Sequence, residues 1–300
     1  MSLFCKRATT PRVLFPTVSL IFAAVLVPAP AVAHGIIGQR FFPATISTDD
    51  PFAADELALP TITSFDHETD IDVDYSKSIV RGFAIGIGIG HVDSTALGNP
   101  PARGFGNLAI APTLEVYRNP EHEFIVSTGV DWEVGGTGSR AVAERTSTFT
   151  PTIKFGKGFG DLPESMKYLR PLAVTGTVGY VIPTASDEPK SIEWGGAIEY
   201  SLLYLQNNVR DQGFSNVVAH LTPVVEFSLS SPTRAGEGGT TGTINPGLIW
   251  SGQYVQLAAE AVLPVNRQSG HGIGFIAQLH FYIDDIFPHS LGRPIFGGKK

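Results

Sequence analysis

The chain has 300 residues, a formal net charge of −7, 43% hydrophobic and 16% charged residues, 33 glycines and one cysteine. An acidic chain lacks the basic footprint of a nucleic-acid binder, so no nucleic-acid partner is expected. One cysteine excludes an internal disulfide, and no stretch after residue 33 approaches the roughly 20 apolar residues of a spanning helix.

Residues 1–33 read as a cleaved signal peptide. Lys6, Arg7 and Arg12 form a positive n-region, Val13 to Val27 is the apolar h-region, and Ala31-Val32-Ala33 is the cleavage signal. Cys5 precedes the h-region, so the mature chain has no thiol, and losing three positive charges takes its net charge from −7 to −10. Cleavage leaves His34 first. Its free amine and imidazole suit copper and make it the one, weak, candidate metal ligand, with His67 and nearby acids to complete a site. An ordinary residue beyond the cleavage point is the simpler account, since one terminal His has no fixed partners. No cofactor is implied.

Residues 34–67 form an N-terminal extension with weak alternation, many turn-formers and the acids Asp49, Asp50, Asp55, Glu56 and Asp66. It supplies one strand near Phe41 to Ile46, a plug, or a periplasmic lead-in. Residues 68–287 carry strict alternation, clearest in Phe83-Ala84-Ile85-Gly86-Ile87-Gly88-Ile89-Gly90, where large apolar and small residues interchange. A period of two describes strands with two unlike faces. Strands are expected at about 70–79, 82–92, 106–117, 123–134, 148–157, 170–182, 192–205, 215–230, 241–251, 254–265 and 271–283. Bacterial single-chain barrels have even strand counts. One strand from the extension makes twelve; ten is the alternative. Residues 288–300 are a tail.

The expected fold is therefore all-β, an antiparallel up-and-down transmembrane β-barrel in the outer membrane of a Gram-negative bacterium. A soluble sandwich or lipid-binding barrel with apolar faces inward shares the alternation. Tight turns are expected at Arg118 to Glu121 and Ser251 to Tyr254. Longer polar connections run Asp93 to Gly104, Gly135 to Ser147, Thr184 to Lys190 and Ser231 to Thr240. A weak repeat, Pro-x-x-charge, recurs at Pro112-Thr113-Leu114-Glu115, Pro151-Thr152-Ile153-Lys154 and Pro223-Val224-Val225-Glu226. Pro lacks a ladder donor, so this repeat suggests a fixed bulge or strand-end position.

Parity places Ile192, Trp194, Ile198, Val225 and Leu257 on the lipid face, because a charge at the midplane costs about 2–4 kcal/mol for Arg or Lys and less for Asp or Glu. Trp132, Trp194, Tyr204, Trp250 and Phe287 fall near strand ends, where aromatic girdles sit. The opposite parity gives the lumen-lining candidates Glu115, Asp131, Glu133, Lys154, Glu193, Glu199, His220, Glu226, Glu260 and His280. Their acidic excess favours cations in a pore. Arg140, Arg145 and Arg210 are the candidates for neutralising them in a closed barrel.

The signal peptide, the Gly-rich hairpins, the Pro-x-x-charge strands and the closing Leu279-His280-Phe281-Tyr282-Ile283-Asp284-Asp285 resemble proteobacterial outer-membrane barrels of the MetA-pathway of phenol degradation type. The resemblance covers about 70–300 and rests on features general to barrels. It implies passage of aromatic compounds or other small solutes, and carries over no catalytic or binding residues.

The expected function is an outer-membrane channel or transporter for small solutes, aromatic compounds or cations among them. Its partners are outer-membrane lipids, the barrel-assembly machinery and the solute. The alternative is a non-conducting structural or surface-interaction barrel. An enzyme is not expected: G-x-S-x-G, H-E-x-x-H and Walker motifs are absent. An outer-membrane hydrolase ranks last, because parity turns both His220 and His280 inward.

Overall fold

The computed structural model describes residues 35–95, 100–234, 236 and 238–297. The expected signal peptide and His34 lie outside them. Two short strands, β1 (Ile36–Ile37) and β2 (Arg40–Phe41), pair as a separate small hairpin. The wall follows as β3 (Glu56–Phe65), β4 (Glu68–Val80), β5 (Phe83–Ser94), β6 (Ala102–Phe105), β7 (Leu108–Asn119) and β8 (Phe124–Val134). It continues through β9 (Thr148–Gly158), β10 (Leu172–Pro183), β11 (Ser191–Tyr200), β12 (Leu221–Pro232), β13 (Thr241–Ser251), β14 (Val255–Pro264) and β15 (Gly274–Tyr282).

All these pairings are antiparallel, and β15 pairs back onto β3, which closes the ring. β6 and β7 share one place in it. Both pair with β5, β6 along His91–Ser94 and β7 along Phe83–Gly88, so they are one wall strand broken at residues 106–107. The sheet's 13 strands thus occupy twelve places. The architecture is a closed, twelve-stranded, up-and-down β-barrel.

The barrel is apolar outside and polar inside. Ile198 and Val225 are 50% and 40% exposed, while their neighbours Glu199 and Glu226 are 2% and 0% exposed. Ser127, Thr113, Thr150, Thr222 and Gln256 are buried in the same sense. A soluble sandwich or lipid-binding barrel requires the reverse. So many outward aliphatic and aromatic side chains suit lipid, not water.

Several elements depart from the expected pattern. The first wall strand is Glu56–Phe65, not Phe41 to Ile46. The segment at 41–46 alternates weakly, whereas Glu56 to Phe65 alternates on either side of Pro60, where the register shifts between Ala58 and Thr61. The strand expected through residue 205 ends at Tyr200, because Ser201 caps a helical turn, Leu202–Tyr204, by accepting from the Tyr204 N–H at 3.1 Å. Ser215 likewise caps a turn at Asn216–Ala219, so β12 starts at Leu221 rather than 215. Tyr204 is consequently buried and leaves the girdle. The ladder also runs in register through Pro112, Pro151 and Pro223. The register shifts lie elsewhere, between Glu115 and Tyr117 for example.

β3 begins and β15 ends at the same end of the barrel, here called the terminal end. The connections after Phe65, Ser94, Val134, Pro183, Pro232 and Pro264 form the opposite mouth. The long connections at 159–171 and 201–220, with their helical turns, sit at the terminal end, against the simple expectation of short turns there.

Candidate functional site: an acid-lined cavity above an internal segment

Residues 35–55 run inside the barrel rather than along its wall. The segment has a root, an apex and a return leg. At the root, near the terminal end, Arg40 is 1% exposed and pairs with Glu123 at 3.2 Å. Its guanidinium also donates to the Pro171 carbonyl at 2.8 Å and to the Arg170 carbonyl, and lies 3.9 Å from the centre of the Tyr204 ring. This contact is what buries Tyr204. Burial and the nearby Glu123 charge push the Tyr204 phenol above its ordinary value. Beside Arg40, Ile37, Phe42 and Phe52 pack on Ile125 and Ala173 of the wall.

The apex reaches the middle of the barrel. Glu226 accepts from the N–H groups of Ile46 at 2.9 Å, Ser47 at 2.8 Å and Thr48 at 3.1 Å, and from the Ser47 hydroxyl at 2.8 Å. Gln256 holds both main-chain groups of Ala44, accepting at 3.1 Å and donating at 2.7 Å. Asp49 pairs with Lys154 at 3.1 Å. On the return leg, Pro51 accepts from Ser127, and Ala53 donates to Glu115 at 3.2 Å. Asp55, 2% exposed, takes the Lys77 ammonium at 2.7 Å and the Ser78 N–H at 2.8 Å, just before the chain turns up into β3.

Beside the apex lies a cavity of about 780 Å³ that runs from Glu56 and Ser76, at the foot of β3 and β4, towards the mouth. Nine carboxylates line it: Asp49, Asp50, Glu56, Asp70, Asp72, Asp74, Asp131, Glu133 and Glu193. Two basic side chains, Lys154 and His280, face them, and each is paired, Lys154 with Asp49 and His280 with Glu56 at 2.9 Å. The β4–β5 pair explains how one strand carries three aspartates inward. Asp72 and Asp74 stand opposite Gly90 and Gly88. A methyl group at Gly88 would come within 2.2 Å of an Asp74 carboxylate oxygen, and one at Gly90 within 2.1 Å of Asp72. The glycine run of β5 is the space into which the β4 carboxylates lean.

The sequence-derived lumen residues divide into two groups around the internal segment. Asp131, Glu133, Lys154, Glu193 and His280 line the cavity. Glu115, Glu199, Glu226 and Glu260 lie against or behind the internal segment; Glu199 and Glu260 are 2% and 4% exposed and stand beside Glu226. His220 does not belong to the wall. It follows the helical turn at Asn216–Ala219, with its Nδ1 2.7 Å from the Asn216 carbonyl oxygen. Reading 215–230 as one strand had extended the alternation across a capped turn. The neutralising groups are also not Arg140, Arg145 and Arg210, but Arg40, Lys77, Lys154 and the segment's own N–H groups. Asp70, Asp72 and Asp74 were missed as a set. Their signal was Asp-x-Asp-x-Asp next to Gly-x-Gly-x-Gly, visible once the two runs are placed on adjacent strands. Among the described residues, no group of three or more His, Cys, Asp or Glu is arranged to hold a metal ion.

No family model matches the chain, and no curated protein matches it. Among solved structures, it is similar to a KdgM porin, at 11% identity and a TM-score of 0.47, covering 75% of this chain and 98% of that one. A NanC porin in a rhombohedral crystal form gives 10% identity and a TM-score of 0.49, covering 76% and 99%. A KdgM porin in complex with disordered oligogalacturonate gives 11%, 0.47, 75% and 98%. These likenesses are of fold, and the closed ring of strands establishes the architecture independently of them.

Proposed function

We propose that this protein is an outer-membrane channel for small solutes that prefers cations or neutral molecules to anions. The observation that carries the reading is the cavity: nine carboxylates against two basic groups, inside a closed barrel with an apolar outer face. A low-dielectric wall focuses the field of such a lining, raising local cation concentration and repelling anions. Small aromatic solutes, the class implied by the phenol-degradation resemblance, would meet Phe52 on the same lining. The hydrolase reading is weaker, since His220 is off the wall and His280 is engaged by Glu56.

The test is reversal potential in planar bilayers under a potassium chloride gradient. Cation-selective currents are expected. Replacing Asp72, Asp74 and Asp131 together by Asn should move selectivity at least halfway to the unselective value while the barrel stays folded. Anion-selective currents, or selectivity unaffected by the triple change, would overturn the assignment. A second reading, a non-conducting structural barrel, is favoured by one observation: residues 35–55 occupy the terminal half of the interior.

A further inference from the structure

We infer that residues 35–54 are a displaceable plug that keeps the barrel shut, with its apex latched on Glu226, and that their withdrawal joins the acid-lined cavity to the terminal end. The inference rests on the channel reading above.

Three observations support it. The first is that the segment itself forms the cavity floor, through Ala44, Thr45, Ile46, Thr48, Asp49 and Asp50. The second is how the segment is held. Among the described residues, no main-chain hydrogen bond joins 35–54 to a wall strand. Its hairpin pairs only with itself, and wall side chains make every polar contact at the apex. The segment can therefore leave without breaking a rung of the closed ladder.

The third observation is the character of the wall behind it. A permanently packed core avoids carboxylates, because a buried charge is costly unless fully paired. Here Glu199 and Glu260 flank Glu226, as deeply buried as it is, yet neither takes a hydrogen bond from the segment. Glu115 and Glu123 follow towards the terminal end. The carboxylate track of the cavity thus continues past the apex. Such a lining suits a solvated path for cations once the segment moves. Asp55, tied to Lys77 and Ser78, is the tether at which the segment joins β3.

The experiment uses the mature protein, residues 34–300, in planar bilayers, with heat-modifiable gel migration as the check that each barrel is folded. Wild-type protein should be closed most of the time. Glu226→Ala should raise the occupancy of the open state at least tenfold, and the amides of residues 46–48 should exchange at least tenfold faster with deuterium. The mature chain has no cysteine, so Asp49→Cys with Lys154→Cys can be bridged by a short reducible bifunctional thiol reagent. The bridge should abolish current, and reduction should restore it.

Steady current in the wild type, unchanged by the bridge, would overturn the plug while leaving the channel reading intact. Faster exchange at 46–48 in Glu226→Ala, with no current in any variant, would overturn both readings, since the segment is free and the barrel still closed. Unchanged exchange and unchanged current in Glu226→Ala would show that Glu226 is not the latch, and would also overturn the inference.

Discussion

The terminal half and the mouth half of this barrel share one wall but treat charge in opposite ways. In the terminal half the charges that hold the internal segment have fixed partners, Arg40 with Glu123, Lys77 with Asp55 and Glu226 with three main-chain N–H groups, while Glu199 and Glu260 stand behind it. Along the cavity that opens to the mouth, carboxylates outnumber bases nine to two. Space filled by protein demands pairing, because desolvated charge is expensive. Space reached by solvent tolerates an excess, and the excess then becomes a field that acts on solutes. The internal segment is what divides the halves.

The largest expected effect breaks the terminal half. Arg40→Ala should destabilise the barrel by about 3–5 kcal/mol, because it strands the buried Glu123 carboxylate. The midpoint of urea unfolding in detergent should fall accordingly. Adding Glu123→Gln should recover part of the loss; a double variant no better than the single one would mean that packing on Tyr204 matters more than charge.

A smaller effect should appear on the wall of the mouth half. Gly88→Ala should cost about 1 kcal/mol or less, because the methyl meets only the exposed carboxylate end of Asp74, which can turn aside. In an Asp74→Ala background the cost should largely vanish, as a double-mutant cycle would show. Asp74→Asn alone should change stability by no more than about 0.5 kcal/mol, because solvent-reached charge contributes little. Equal losses for Asp74→Asn and Arg40→Ala would erase the contrast between the halves.

The smallest effect concerns pH at the terminal end, in the 159–171 connection. Partial burial raises the Asp161 carboxyl, but hydrogen bonds from His122 and Lys157 outweigh it and leave its value below the usual carboxylate range. A depressed value means stabilisation that is present above the unfolded value of about 4 and lost as pH falls through the folded one. Asp161→Asn should therefore flatten the slight fall in melting temperature below about pH 4 and leave neutral pH almost unchanged. An identical acid limb in the variant would remove Asp161 from the account.

Much of the wall was legible before any coordinates. Alternation put Ile198 and Val225 outside and Glu199 and Glu226 inside, because in a strand the face follows from parity, a property of neighbouring residues. Even strand counts led to twelve once the extension supplied one. Turn chemistry was harder to read: Ser201 and Ser215 each cap a helical turn, and without those caps Tyr204 and His220 looked like strand residues.

The sequence by itself determined that this chain is a series of two-faced strands, which residues share a face, and that one face is apolar and the other acidic. Those features repeat every second residue and need only local geometry. The burial of the acidic face was decided by the closed ring. The tertiary structure alone decided that residues 35–55 lie inside, that the first wall strand starts at Glu56, and that the acids split into a set against the internal segment and a set lining the cavity. These outcomes rest on contacts between distant parts of the chain, such as Arg40 with Glu123, Ile46 with Glu226 and Ala44 with Gln256, 83, 180 and 212 residues apart. Such contacts follow no period, because they are set by how an irregular segment fits the bore and not by the pleat of any strand.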